Sequence, residues 1–224
     1  LAGKILGYTP DIALELVAHL GTLLALLLVL RKPIFSLIRH PLDKKVRLIL
    51  LSTAVTGIVF LVCEPFFRSA YDGSLLPIGF LLTAFLLVLA HFLPVKQRSI
   101  GIFEAVIIGF AQGAAGLPGL SRSGTTVSSA RMLGVDKKES TEYSFLLALP
   151  IIIGSAAYEI IGGGFHGIQI LPALLCFFCA FFTGLVTLKL CLKLFTSDYA
   201  VYFSVYLVLL SVFLIMNDLI LHIL

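Results

Sequence analysis

Charge is scarce in this chain. Of its 224 residues, 12% are Asp, Glu, Lys or Arg, about half the share of an average soluble domain. A water-soluble globule of this size could not cover its surface with so few charged groups. A soluble enzyme, a disordered chain and an ordinary nucleic-acid binder are therefore excluded. Tryptophan is absent, so interfacial anchoring would fall to the seven tyrosines. The first ten residues, LAGKILGYTP, lack the basic start, long apolar core and small-residue cleavage site of a signal peptide. They open on Leu rather than Met, so the recorded N-terminus is expected to be cut. Cysteine is sparse. Cys176 and Cys179 form a C-x-x-C, but within the run LLCFFCAFF, where the polar, accessible surroundings of a redox or zinc site are missing. They read as packed or lipid-facing small residues, as do Cys63 and Cys191.

What the chain has instead is apolar surface: 59% hydrophobic residues and a mean hydropathy of +1.10. This composition predicts an all-α polytopic membrane protein, a single integral membrane domain over residues 1–224. Six apolar runs, near 12–30, 47–63, 75–93, 140–161, 168–192 and 199–221, can each form a spanning helix of about 20 residues. The net charge of +4 reads as loop charge on the cytoplasmic side rather than as a polyanion site.

A seventh region, 102–134, is different. It begins apolar, is interrupted by Gly113, Gly116, Pro118, Gly119 and Gly124, and carries Arg122 between Ser121 and Ser123. Two half-helices, about 103–115 and 123–133, joined by a Gly/Pro/Ser turn, describe it better than one rod. Loop charges favour the same picture. Arg31, Lys32, Arg39, Lys44, Lys45 and Arg47 place the 31–47 loop in the cytoplasm, and Lys96 and Arg98 place 94–101 there too. The 64–74 loop and the Gly162–Gly167 loop, poor in or free of Lys and Arg, face outward. Arg131, Lys137 and Lys138 follow the broken segment and stay inside only if it turns back halfway, as a re-entrant hairpin.

One hairpin plus three spans make up the second half, 95–224, whereas the first half, 1–94, shows three spans and no hairpin. Three is odd, so two such units in tandem would be inverted repeats. This predicts a further re-entrant hairpin ahead of Leu1, although no residue-level repeat joins the halves.

The chemistry concentrates in Gly116-Leu-Pro-Gly-Leu-Ser-Arg-Ser-Gly-Thr-Thr126. Arginine at membrane depth costs about 2.5–3.5 kcal/mol on insertion scales and persists where it meets a cavity or an anion. Arg122 sits where a half-helix begins, with free N–H groups and the positive end of the helix dipole. Ser121, Ser123, Thr125 and Thr126 add hydroxyls, and Pro118, Gly119 and Gly124 let backbone approach a ligand. A guanidinium can hold two phosphate oxygens at once. The alternative is that Arg122 pairs with an intramembrane carboxylate and the serines merely cap a helix. The motif alone does not separate hydrolysis from transport.

Other polar residues are weaker candidates. Glu15 and His19 share a helix face, as an acid–base couple or a solvated interface pair. Glu104 reads as solvated at its helix start, and Gln112 as able to reach the turn. Glu142, near Lys137 and Lys138, reads as a cap or ion pair. His91 and His166 have no metal-ligand spacing with a partner.

The run Pro118-Gly-Leu-Ser-Arg-Ser-Gly-Thr-Thr, then Leu133-Gly-Val and Glu142-Tyr-Ser-Phe-Leu-Leu-Ala-Leu-Pro150, resembles the second signature region of the undecaprenyl-diphosphate phosphatases, the bacitracin-resistance proteins. Leu14-Glu-Leu-Val-Ala-His-Leu-Gly-Thr22 resembles the first full span of that family. The resemblance covers essentially the whole chain, in order. It implies inverted repeats around a central site in the bacterial cytoplasmic (inner) membrane, with a homodimer left open. It implies removal of the terminal phosphate of undecaprenyl diphosphate, which recycles the lipid carrier for peptidoglycan synthesis and gives tolerance to bacitracin, a competitor for that lipid. Arg122 becomes the expected diphosphate clamp, with Ser121 and Ser123 as catalytic neighbours and Pro118, Gly119, Gly124, Thr125 and Thr126 around the substrate. The family's first signature, a Glu-x-x-x-Glu type motif with a turn ending in Gly-His, is not in this sequence. The resemblance places it before Leu1, together with the ligands of a divalent cation (Mg or Ca), so no metal ligand is assigned here. A transporter or flippase of an anionic lipid or small anion is the rival reading, and a third is a remnant expected to be inactive on its own without the first signature.

Overall fold

A computed structural model describes residues 12–71, 73–94, 96–161, 169–197 and 199–217. Among the described residues the chain is helical throughout, without a strand. The helices are α1 (Ile12–Val29), α2 (Arg31–Arg39), α3 (Lys44–Ala70), α4 (Leu76–Phe92), α5 (Ile102–Ala114), α6 (Arg122–Met132), α7 (Lys137–Ile161), α8 (Ile170–Thr196) and α9 (Ala200–Met216). Each of the six apolar runs contains a helix over its described residues. The broken region folds as two helices, α5 and α6, which pack against each other.

Among the described residues three helices are long and apolar enough to cross a membrane: Lys44–Ala70, the Lys137–Ala157 part of α7, and Ile170–Thr196; α1 with α2 adds a fourth if the bent pair counts as one span. Helices α4 and α9, at 17 residues each, reach about 26 Å at 1.5 Å per residue. Their outward faces are apolar. On α3, Leu50, Ile58, Leu61 and Val62 are 60–74% exposed, a surface that hydrocarbon covers and water would not. The chain is an all-α membrane protein.

The chain divides into two compact units. The first comprises Leu1–Pro41 and Ala148–Leu192. Here α1 lies close on α8: a Cβ on Gly21 would stand 2.6 Å from the Phe177 carbonyl oxygen, and one on Gly184 would stand 3.1 Å from Ala25 Cβ. Small residues at these crossings let two apolar helices approach backbone to backbone. The four cysteines are all free thiols. The segment read as the 31–47 loop contains α2, which leaves α1 at a bend of 77°. Its run RKPIFSLIR carries polar and apolar faces rather than loop composition, and none of its residues is buried, the profile of a helix lying along a membrane surface.

The second unit, Leu42–Leu147 with Lys193–Ile223, holds α3, α4, α5, α6 and α9. Helix α3 packs on α5 through Gly109 and Gly113, which face Ser52, Val55, Thr56 and Val59. Ser52 donates to the Ala105 carbonyl at 2.7 Å and Thr56 to the Gly109 carbonyl at 2.9 Å, hydrogen bonds that hold a crossing in hydrocarbon. Helix α4 packs on α9, where Ser211 donates to the Pro77 carbonyl at 2.9 Å. Pro77 occupies the first turn of α4, where no N–H is needed; Pro65 and Pro150 lie inside α3 and α7.

The two flanks of the α5–α6 hairpin meet. The backbone N–H groups of Lys96 and Arg98 both donate to the Gly134 carbonyl, at 3.2 and 3.1 Å, and Arg98 bridges Val135. The chain thus enters and leaves the hairpin at one level, the arrangement the loop charges called for. Arg131, counted among those loop charges, is buried instead, at 4% exposure. Glu15's side chain, His166, Asp218 and His222 lie outside the described residues.

A candidate anion-binding hairpin

The hairpin turn follows from its sequence. Leu120 N–H donates to the Leu117 carbonyl at 3.1 Å, with Pro118 and Gly119 between. Gly119 has φ +84°, so Pro at the second position and Gly at the third give the pattern of a type II turn. Glycine is required twice over, since a Cβ on Gly119 would stand 2.4 Å from the Leu76 carbonyl oxygen. Across the contact, a Cβ on Gly79 of α4 would meet the Pro118 carbonyl oxygen at 2.2 Å.

Helix α6 starts directly after this turn. Ser121 is its N-cap, its hydroxyl accepting the Gly124 N–H at 3.2 Å. Ser121's own N–H is taken by Thr83 Oγ1 of α4 at 2.9 Å. Thr83 in turn donates to the Gly79 carbonyl at 2.9 Å. Although α6 reads RSGTTVSSARM, all residues from Gly124 to Arg131 are buried. Its two threonines spend their protons inward. Thr125 donates to the Ser121 carbonyl at 2.7 Å, Thr126 to the Arg122 carbonyl at 2.8 Å, and Thr126 shares a hydrogen bond with Ser144 of α7.

What remains is a set of donors with no acceptor. The backbone N–H groups of Arg122 and Ser123, the Ser123 hydroxyl and the Arg122 guanidinium have no hydrogen-bond or ion-pair partner among the described residues. Ser121, Arg122 and Ser123 are half-buried. Unpaired donors and a guanidinium at the positive end of a helix are the chemistry that suits an anion. A carboxylate partner for Arg122 is not found among the described residues, so the packed ion-pair alternative gains no support.

The other candidates are structural. Glu104 caps α5, accepting the Gly101 N–H at 2.9 Å rather than standing in solvent. Glu142 pairs with Lys45 of α3. Gln112 turns to α3 and α7, donating to Thr56 Oγ1 and the Leu147 carbonyl at 3.5 Å. His19 is exposed. Among the described residues no group of three or more His, Cys, Asp or Glu could hold a metal ion. The hydroxyls, N–H groups and guanidinium of the turn suit an anion and do not fit a cation.

Sequence reading missed Thr83 and Gly79. Their signal is a pair of small residues four apart in the otherwise bulky run LPIGFLLTAF, which leaves one helix face open to close backbone contact.

The fold defines an all-α membrane protein, and the hairpin is its candidate site for an anion. The chain belongs to the bacitracin resistance protein BacA family, whose model matches residues 1–213. It is 32% identical to an undecaprenyl-diphosphatase of Carboxydothermus hydrogenoformans over 95% of this chain and 85% of that protein. A Methanococcus maripaludis undecaprenyl-diphosphatase is 33% identical over 95% and 88% of the two chains, and one from Treponema denticola 30% over 88% and 80%. These relatives do not favour the transporter reading.

Proposed function

We propose that this protein hydrolyses undecaprenyl diphosphate to undecaprenyl phosphate and inorganic phosphate, with the α5–α6 turn gripping the diphosphate. The unpaired guanidinium and N–H groups of Arg122 and Ser123 carry this reading. The diphosphatase activity for which its relatives are named supports it.

A diphosphate brings charge that must be matched on binding and again as the P–O bond to the leaving phosphate breaks. Arg122 supplies a fixed positive charge and two parallel donors. The N–H groups of Arg122 and Ser123 lie at the helix start, so they need no reorganisation to meet developing charge. Ser123 offers the free hydroxyl. Ser121, engaged as cap, and Thr125 and Thr126, engaged with carbonyls, hold the helix turn in place. Pro118 and Gly119 shape the approach. The described residues form no ligand set for the divalent cation that the family resemblance implies, and no step is routed through one. The reading extends to a bacterial cytoplasmic membrane, to bacitracin competing for the same lipid, to paired inverted repeats and to a homodimer.

The test is phosphate release from undecaprenyl diphosphate by the purified chain in detergent, with divalent cation supplied. Arg122→Ala should abolish release while leaving the melting temperature unchanged. Full activity in Arg122→Ala, or vectorial lipid movement without phosphate release, would overturn the reading.

A further inference from the structure

A second cationic feature lies in the first unit, formed by other residues than those of the hairpin. A cavity of about 630 Å³ opens between α1, α2 and α8. Arg31 and Lys32 of α2 and Lys189 of α8 line it, against apolar walls that include Leu28, Leu185 and Leu192. Three cations around one space repel one another unless something neutralises them. Arg31, Lys32 and Lys189 form no ion pair with any described residue. Neutralisation from the neighbouring stretches is not available: residues 16–42 and 170–196 contain no Asp or Glu, and Glu15, the carboxylate of α1, lies 16 residues before Arg31, about 24 Å along a helix.

The setting defines the ligand. Helix α2 departs at 77° from α1, exposes Phe35 at 55% and Ile38 at 69%, and carries Arg39 over the Phe35 ring at 4.3 Å. Such a helix rests at the boundary between headgroups and acyl chains. The cavity therefore combines cations at headgroup depth with leucine walls running along α1 and α8. A small free anion would leave the leucines uncovered, and a zwitterionic lipid would bring its own cation against three others. An anionic lipid fits both parts, as basic pockets between transmembrane helices do elsewhere.

We propose that this cavity is a headgroup site for an anionic glycerophospholipid of the surrounding bilayer, its phosphodiester held by Arg31, Lys32 and Lys189 and one acyl chain laid along Leu28 and Leu185. The site is independent of the diphosphate reading.

The full chain in detergent, supplied with equal phosphatidylglycerol and phosphatidylcholine, tests this by native mass spectrometry. Wild type should retain phosphatidylglycerol in preference. Each removed cation should lower that retention about fivefold, first in Lys189→Gln, an exposed change that leaves folding intact, then in the triple Arg31→Gln/Lys32→Gln/Lys189→Gln. Arg39→Gln/Lys193→Gln removes similar charge outside the cavity and should change nothing. Equal retention of both lipids, an equal drop in the control, or displacement of phosphatidylglycerol by equimolar undecaprenyl phosphate would each overturn the assignment. Phosphate release assayed in parallel keeps its failure distinct from failure of the diphosphatase reading.

Discussion

Thr83 on α4 accepts the backbone N–H of Ser121 at 2.9 Å, so a helix outside the hairpin fixes the residue that caps α6. The same hydroxyl donates back to the Gly79 carbonyl, and both of its hydrogen-bonding capacities are in use. Thr83 is fully buried. This small relay ties the start of the hairpin's second helix to α4 and keeps the Arg122 and Ser123 N–H groups aimed the same way.

Thr83→Val keeps the shape and removes the acceptor. It strands the Ser121 N–H, a cost of about 1–3 kcal/mol, and loosens the cap. Phosphate release should fall about tenfold or more, while Thr83→Ser restores most of it. Paired melting curves in detergent separate the two effects. If Thr83→Val and Thr83→Ser behave alike, the hydroxyl is not what positions the turn.

Gly79 tests the close approach of α4 to the turn. Gly79→Ala drives a methyl group to within 2.2 Å of the Pro118 carbonyl oxygen, backbone that cannot swing aside. The turn must shift, and activity should be lost. Gly57→Ala is the matched control, because nothing lies within 4 Å of a Cβ there. It should be neutral or slightly stabilising, since Gly in a helix interior costs about 0.5–1 kcal/mol relative to Ala. Equal activity of the two variants would remove the steric argument.

The fold is largely legible in the sequence. Six long apolar runs left little choice but helices, and Gly116, Pro118 and Gly119 could only break a seventh. The position of Arg122 at a helix start followed from local chemistry, whereas the type of the turn came only with the φ of Gly119. Contacts between helices were not legible. Nothing in the sequence ties Glu142 to Lys45, because residues 97 apart in sequence meet only through packing. Arg131 looked like a loop charge because its neighbours Lys137 and Lys138 are, yet the small residues of α6 draw it inside. Helix α2 was hidden within a basic stretch whose charge was the louder signal. Thr125 and Thr126 looked like ligand donors because hydroxyls near an arginine suggest that, but a helix lets Thr bond back to the carbonyl four residues earlier.

Arg122→Lys separates charge from geometry. Lysine keeps the positive charge but replaces a planar two-donor fork by a point charge. Loss of a charged hydrogen bond costs about 1.5–3 kcal/mol, so kcat/KM should fall about 10- to 100-fold in Arg122→Lys and further in Arg122→Ala. Ser123→Ala, which removes a neutral and otherwise unused donor, should lose about 2- to 10-fold. Thr125→Ser, which keeps its inward bond, should stay near wild type. Steady-state phosphate release on the four variants ranks them, and a Thr125→Ser loss as deep as that of Ser123→Ala would contradict the assignment of roles.

Glu142 is a carboxylate near the hairpin helices and could be mistaken for an acid–base group. Its carboxylate is instead engaged by the Lys45 ammonium, with the two side chains about a third exposed, 37% and 31%. Partly solvated pairs of this kind contribute about 0–1 kcal/mol. Glu142→Gln should therefore lower the melting temperature slightly and leave kcat within about twofold. Lys45→Met should do the same, and the double variant should be no worse than either single one, since both remove a single interaction. A catalytic carboxylate behaves differently: Glu142→Gln alone would collapse kcat and shift its pH profile, while Lys45→Met would not. The pH–rate profiles of both single variants, measured beside wild type, decide between the two.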